Sequence, residues 1–173
     1  MPRPPLIWLT TDTHFYHDAI TNEDFCNRPD DFNELILRNL RYNLAEQDVL
    51  YHLGDVIFYQ HKLLSGMLDS VRCAKKYLVK GNHDKKSNSW YLRNGFDGVF
   101  DMVVIGDIIL SHKPQRVFPD GVRLNIHGHF HNTDHRIHDP EYNEWYDPSR
   151  HRLLSIENTE YHCLLYTSPS PRD

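Results

Sequence analysis

Hydrophobic residues along this chain come in two rhythms. Unbroken apolar runs such as "LIWLTTD" (6–12) and "DVLYHLGD" (48–55) predict buried strands, because a short apolar run bounded by polar residues suits a sheet interior. "KYLVKGNHD" (76–84) and "GVRLNIHGHFHN" (121–132) repeat that pattern, and "VFDMVVIGDIILSHKP" (99–114) predicts a hairpin turning at Gly106-Asp107 with its second arm ending at His112. In "DDFNELILRNLRYN" (30–43) the apolar positions Phe32, Leu35, Ile36 and Leu40 form a helical stripe, with Asp30 after Pro29 as N-cap. "HKLLSGMLDSV" (61–71) predicts a second helix, and "RLLSIENTEY" (152–161) has a strand-like pattern. Strands alternating with helices in the first half, then mostly strands, predict an α/β domain with stacked sheets.

Each of these apolar runs ends in ligand-type side chains. Asp12 and His14 follow the first, Asp55 the second, Asn82, His83 and Asp84 the third, His112 the hairpin, and His129 and His131 the last. One such ending is an ordinary cap or polar turn. Five of them suggest a site, since open sheets hold ligands at the carboxyl ends of their strands. Carboxylate, imidazole and amide oxygen without thiolate suit Mn, Fe, Zn or Ni. The set exceeds what one tetrahedral ion uses, and two ions about 3.5–4 Å apart, sharing one carboxylate, would employ all of it.

Composition narrows the classes. At 173 residues, with 39% apolar and 25% charged side chains, the chain suits one soluble globular domain. A net charge of −5 argues against broad nucleic-acid binding through a basic surface. Thirteen histidines are a heavy load of metal-ligand and acid–base groups. Cys26, Cys73 and Cys163 form no CxxC pair, so a reducing cytoplasm is expected. The opening "MPRPPLIWLTTD" is too short an apolar run for a signal peptide or a membrane span.

"DTH" (12–14), "GD" (54–55), "GNHD" (81–84), "SH" (111–112) and "GHFH" (128–131), in this order, resemble the calcineurin-like metallophosphoesterase superfamily. "TDTHFYHDAI" and "CNRP" are similar to its small bacterial and phage members. The resemblance implies two stacked mixed β-sheets flanked by helices in four layers. It implies that Asp12, His14, Asp55 and His131 surround one metal, and that Asp55 bridges to a second completed by Asn82, His112 and His129. Two divalent transition-metal ions are the implied cofactors, Mn foremost, with Fe, Zn or Ni as alternatives. His83 is implied as the general acid over the leaving group, with Asp84 orienting its ring. The implied reaction is hydrolysis of a small phosphate mono- or diester, such as a nucleotide or cyclic nucleotide, by a hydroxide activated between the cations. The rival readings are a non-catalytic protein-interaction scaffold, which would be expected to lose ligands or the acid, and a nuclease, which would want a basic groove.

Other positions stay open. Arg28 is either a phosphate clamp or an ordinary surface residue. His17 either contacts substrate or is structural, and His52 and His127 read as structural or supporting. Lys113 and the aromatic "EYNEWYD" (141–147) either line a pocket or pack. The closing "CLLYTSPSPRD" matches an in-frame translation of a transposon-end sequencing adaptor, so the domain is expected over 1–162 and 163–173 is read as a non-native tail.

Overall fold

The computed structural model describes residues 3–166, so segment 167–173 of the suspected tail lies outside the described residues. β1 (Ile7–Thr10), β2 (Val49–His52), β3 (Lys75–Val79) and β4 (Gly98–Phe100) run parallel in one sheet, in the order β4-β3-β2-β1. β9 (Leu164–Tyr166) extends it antiparallel to β1, pairing Leu9 with Leu164. The second sheet has the order β5-β6-β7-β8, from β5 (Met102–Ile105), β6 (Ile108–Ser111), β7 (Leu124–His127) and β8 (His151–Leu153). β5 and β6 form the hairpin expected at Gly106-Asp107, and β6, β7 and β8 are parallel. Both sheets are therefore mixed.

Side-chain alternation decides what each face meets. Leu9 of β1 and Val79 of β3, with Leu53 just past β2, meet Ile108, Leu110 and Ile126 of the second sheet in one buried cluster. That cluster stacks the sheets. The opposite face of the first sheet, with Leu50 and Leu78, packs on the helices α1 (Phe32–Asn43), α2 (Leu64–Asp69) and α3 (Asn88–Arg93) through Ile36, Leu40, Leu64, Leu68 and Tyr91. The outer face of the second sheet carries polar groups instead. Asn125 accepts from Gln115 N (2.8 Å) and donates to Ser111, while Tyr146 stacks on His151 at 4.6 Å. Turns and the 3-10 segment Asp134–His138, rather than long helices, belong to this side of the chain.

Several local expectations shift. The N-cap position of α1 is Asp31, one residue after the expected Asp30. Only His151–Leu153 of the "HRLLSIENTEY" stretch is strand, because the chain turns at Ser155–Asn158. α3 had no counterpart among the expected elements, because six residues carry too little periodicity to be recognised, and β4 is a separate strand where the first hairpin arm was expected to begin.

Candidate metal centre

The parallel strands of the two sheets deliver their carboxyl ends to one rim. Asp12 and His14 leave β1, Asp55 leaves β2 and Asn82 leaves β3, while His112 follows β6, and His129 and His131 follow β7. The loop after β1 lies along the loop after β2 through Asp12 N to Gly54 O (2.9 Å), His14 N to Asp55 O (2.9 Å) and Phe15 N to Val56 O (3.0 Å). Across the sheets, Asp12 Oδ2 accepts from His129 N (3.0 Å), and within the second sheet Gly128 N donates to His112 O (3.0 Å). This close weaving needs glycine at two points. Gly54 has φ +96, and a Cβ there would stand 2.5 Å from Gly81 N; a Cβ on Gly128 would run into Thr11 Oγ1 and Asp12 Oδ2.

The backbone pays a conformational cost at the same places. Asp12 (φ 48), His14 (φ 46), Asp55 (φ 57), His129 (φ 70) and His131 (φ 53) are all left-handed. Each such non-glycine residue costs about 1–3 kcal/mol and persists where the surroundings over-determine it, commonly at functional sites.

Among the described residues three groups of possible ligand atoms lie within 4.8 Å of one another, Cys26–His131–Glu157 and, from the motif residues, Asp12–His14–His131 and Asp55–His112–His129. Asp12 Oδ1 lies 3.8 Å from His14 Nε2 and 3.7 Å from His131 Nε2. Asp55 Oδ2 stands between the groups, 3.6 Å from His14 Nε2 and 3.3 Å from His112 Nε2. His112 Nε2 also faces Asn82 Oδ1 at 2.9 Å. The structure thus brings together all seven residues singled out as ligands. These groups could hold metal ions, and the donor set fits. Asp12 Oδ1 and His14 Nε2 are buried without a hydrogen-bond partner, a costly state for a protein interior unless something else satisfies them. With metal–ligand distances of about 2.0–2.2 Å, atoms sharing an ion sit about 3–4 Å apart, as these do.

Electrostatics agree with a cluster of opposed charges. Burial opposes ionisation of Asp12, but His112 and His131 outweigh it and hold the carboxyl well below the usual range. Burial likewise opposes charging of His112 and His131, yet Asp12 with Asp55 raises His112 to about 9, and Asp12, Cys26 and Glu157 raise His131 to about 10. His129 is pushed down to about 3 by burial and by His112. The Nδ1 of His112 can only donate to Leu53 O (2.8 Å), which turns Nε2 toward Asp55 and Asn82.

Other expectations are corrected. Asp84 does not orient His83. Its carboxylate is buried and accepts from Asp55 N (2.8 Å), Val56 N (3.1 Å), Gly81 N (2.8 Å) and Tyr91 Oη (3.3 Å), while the His83 ring points outward. Successive residues of the tight turn project in different directions, so Asp84 fastens one ligand loop to the next. Arg28 is neither a phosphate clamp nor a surface residue: its side chain is 0% exposed and is spent on Asp12 O, Thr13 O and Glu157. His52 bonds Thr13 Oγ1 (2.8 Å) and His127 bonds Tyr146 Oη (2.9 Å), as supporting residues should. Tyr142 and Tyr146 pack on Phe130. Glu157, 3.2 Å from His131 Nδ1, was missed; its one sequence signal is an acid directly after the largely apolar "LLSI".

Two clefts open on this rim. One, of about 290 Å³, is lined by His14, His17, Phe25, His83, His131 and Arg136 among others. In it, His17 stacks on Phe58 at 3.8 Å, and His83 lies 5.6 Å from His14 and 5.2 Å from Phe58. The other, of about 280 Å³, is lined by Lys80, Asn82, Asp101, His112, Lys113 and Gln115 with Gly81. Among the described residues, no helix is long and apolar enough to cross a membrane.

No family model matches the chain. It is 29% identical over 135 residues to an uncharacterized protein of Methanocaldococcus jannaschii, across 72% of this chain and 69% of that protein. Its structure is similar to that of a protein of unknown function from Aquifex aeolicus, with TM-score 0.71 and 27% identity over 93% of this chain and 95% of that one. It also resembles nuclease MPE of Pseudomonas putida, with TM-score 0.51 and 24% identity over 72% of this chain and 61% of that one, a likeness of fold.

Proposed function

We propose that this chain is a metal-dependent phosphoester hydrolase whose two ligand groups hold two divalent transition-metal ions, Mn first among them. The observation that carries the proposal is the pair of unpartnered buried atoms, Asp12 Oδ1 and His14 Nε2, held by left-handed backbone beside a carboxylate shared between both groups. A pair of bound cations would supply an activated water and neutralise phosphate charge. The chain's own residues do the rest. Asp12, His14 and His131 form one half of the site; Asn82, His112 and His129 form the other; Asp55 is common to both. His83, exposed and lining the first cleft, would protonate a departing alkoxide. His17 lines the same cleft and can meet substrate there.

The test is a panel of phosphate esters with metal-stripped protein and added Mn, Ni, Zn or Mg. Turnover of p-nitrophenyl phosphate or its bis ester should vanish with EDTA and return with Mn, and metal analysis should approach two equivalents per chain. Reconstituted protein that is inert on every ester tried would favour the scaffold reading.

The lysine-lined cleft favours a second reading, a diester-cleaving enzyme acting on nucleic acid, and a nuclease is among the proteins that share this fold. The Lys113 ammonium pairs with the exposed Glu141 at 3.3 Å, a solvent-screened contact that it can exchange for a phosphate. Oligonucleotides in the same panel, at two salt concentrations, decide: cleavage that weakens as salt rises supports it.

A further inference from the structure

Beneath the site lies a buried ion pair that no metal-ligand pattern requires. Arg28 and Glu157 are 0% and 5% exposed, with Nη2 to Oε1 at 2.7 Å and Nε to Oε1 at 3.0 Å. Arg28 also donates to the carbonyls of Asp12 (2.6 Å), itself the first of the Asp12–His14–His131 group, and of Thr13 (2.7 Å), which separates Asp12 from His14. Glu157 faces His131 Nδ1 at 3.2 Å and accepts from Ser155 Oγ at 2.8 Å. We propose that Arg28 and Glu157 are positioning residues dedicated to one metal position: together they fix the backbone carrying Asp12 and His14 and the ring of His131, and they touch no member of the Asp55–His112–His129 group.

Each part of the device has a physical reason. Asp12 and His14 stand in left-handed backbone, which relaxes unless their peptide groups are held, and Arg28's planar fork grips two successive carbonyls at once. In the neutral ring, a carboxylate accepting from Nδ1–H leaves Nε2 as the lone-pair nitrogen beside Asp12 (3.7 Å), the tautomer a metal needs. Glu157 is not itself a ligand in this arrangement, although its oxygen lies near Cys26 and His131. Oε1 already receives Arg28 and His131, and Oε2 receives Ser155.

This inference rests on the two-metal reading, and the experiment separates the two. Mn²⁺ affinity is measured by calorimetry in two backgrounds: His129→Ala, which spares the Asp12–His14–His131 group, and His131→Ala, which spares the other. Adding Glu157→Gln should weaken Mn²⁺ binding about 10- to 100-fold in the first background, the usual scale for a residue supporting a metal ligand, and leave the second unchanged. Arg28→Lys, which keeps the charge but not the fork, should show the same selectivity and carries the test if Glu157→Gln fails to fold. Equal weakening in both backgrounds, or none in the first, overturns the proposal while the two-metal reading stands. Wild-type protein that binds no Mn²⁺ overturns both.

Discussion

At the scale of single residues, His83 and Asp84 show how neighbours in one turn divide their work. His83 is exposed and its ring makes only aromatic contacts, so His83→Ala should keep both metals and the fold. As general acid it should lose about 10²–10⁴-fold in rate on an alkyl phosphate ester. On a p-nitrophenyl ester, whose leaving group departs as an anion, the loss should be far smaller; equal losses on both would make His83 a ligand or a phosphate clamp. Asp84 belongs to a different experiment, since its oxygens hold three backbone amides of the ligand loops. The seven residues gathered at the rim were legible because each follows an apolar run with a polar side chain that a sheet end does not need. The roles of Asp84, Arg28 and Glu157 were not, because side-chain direction and contacts across more than a hundred residues leave no local pattern.

Among elements, the start of β2 shows what holds the first sheet in register. Asp48, whose side chain is fully buried, accepts from Leu6 N (3.0 Å), Ala45 N (3.0 Å), Trp8 Nε1 (3.0 Å) and both terminal nitrogens of Arg3 (2.7 Å each). One carboxylate therefore ties the approach to β1 to that of β2. Asp48→Ala leaves those donors without their anion and should cost about 2–4 kcal/mol, read from urea unfolding. The Arg3 guanidinium holds the carboxyl well below its ordinary value. A depressed carboxylate stabilises fully above its unfolded value, about pH 4, and progressively less as pH falls toward the folded one. Wild type should thus lose stability below about pH 4 more steeply than the Asp48→Ala variant, and parallel curves would count against this role. Element types were readable where the pattern was long, as in α1, and failed where an element is three residues of edge strand whose partner lies far along the chain, as in β9.

Across the whole molecule, stability and metal content should move together. Ligands that bind the folded chain alone add about 2.7 kcal/mol at a hundredfold excess over Kd, so the melting temperature should climb with Mn concentration and fall to a floor in EDTA. A melting temperature indifferent to both would place the cations elsewhere or nowhere. The division of the ligands gives this coupling a direction. Asp12, His14, Asp55 and Asn82 hang from the first sheet, and His112, His129 and His131 from the second. Far from the rim the layers adhere through Leu9, Val79, Leu110 and Ile126, but at the rim they meet through polar groups. Cations there would act as a clasp on a hinged book. Unclasped, the covers should breathe at that edge alone: amide exchange at 112–113 and 129–131 should quicken with chelator, while the amides of α1, packed on the outer face of the first sheet, keep their pace.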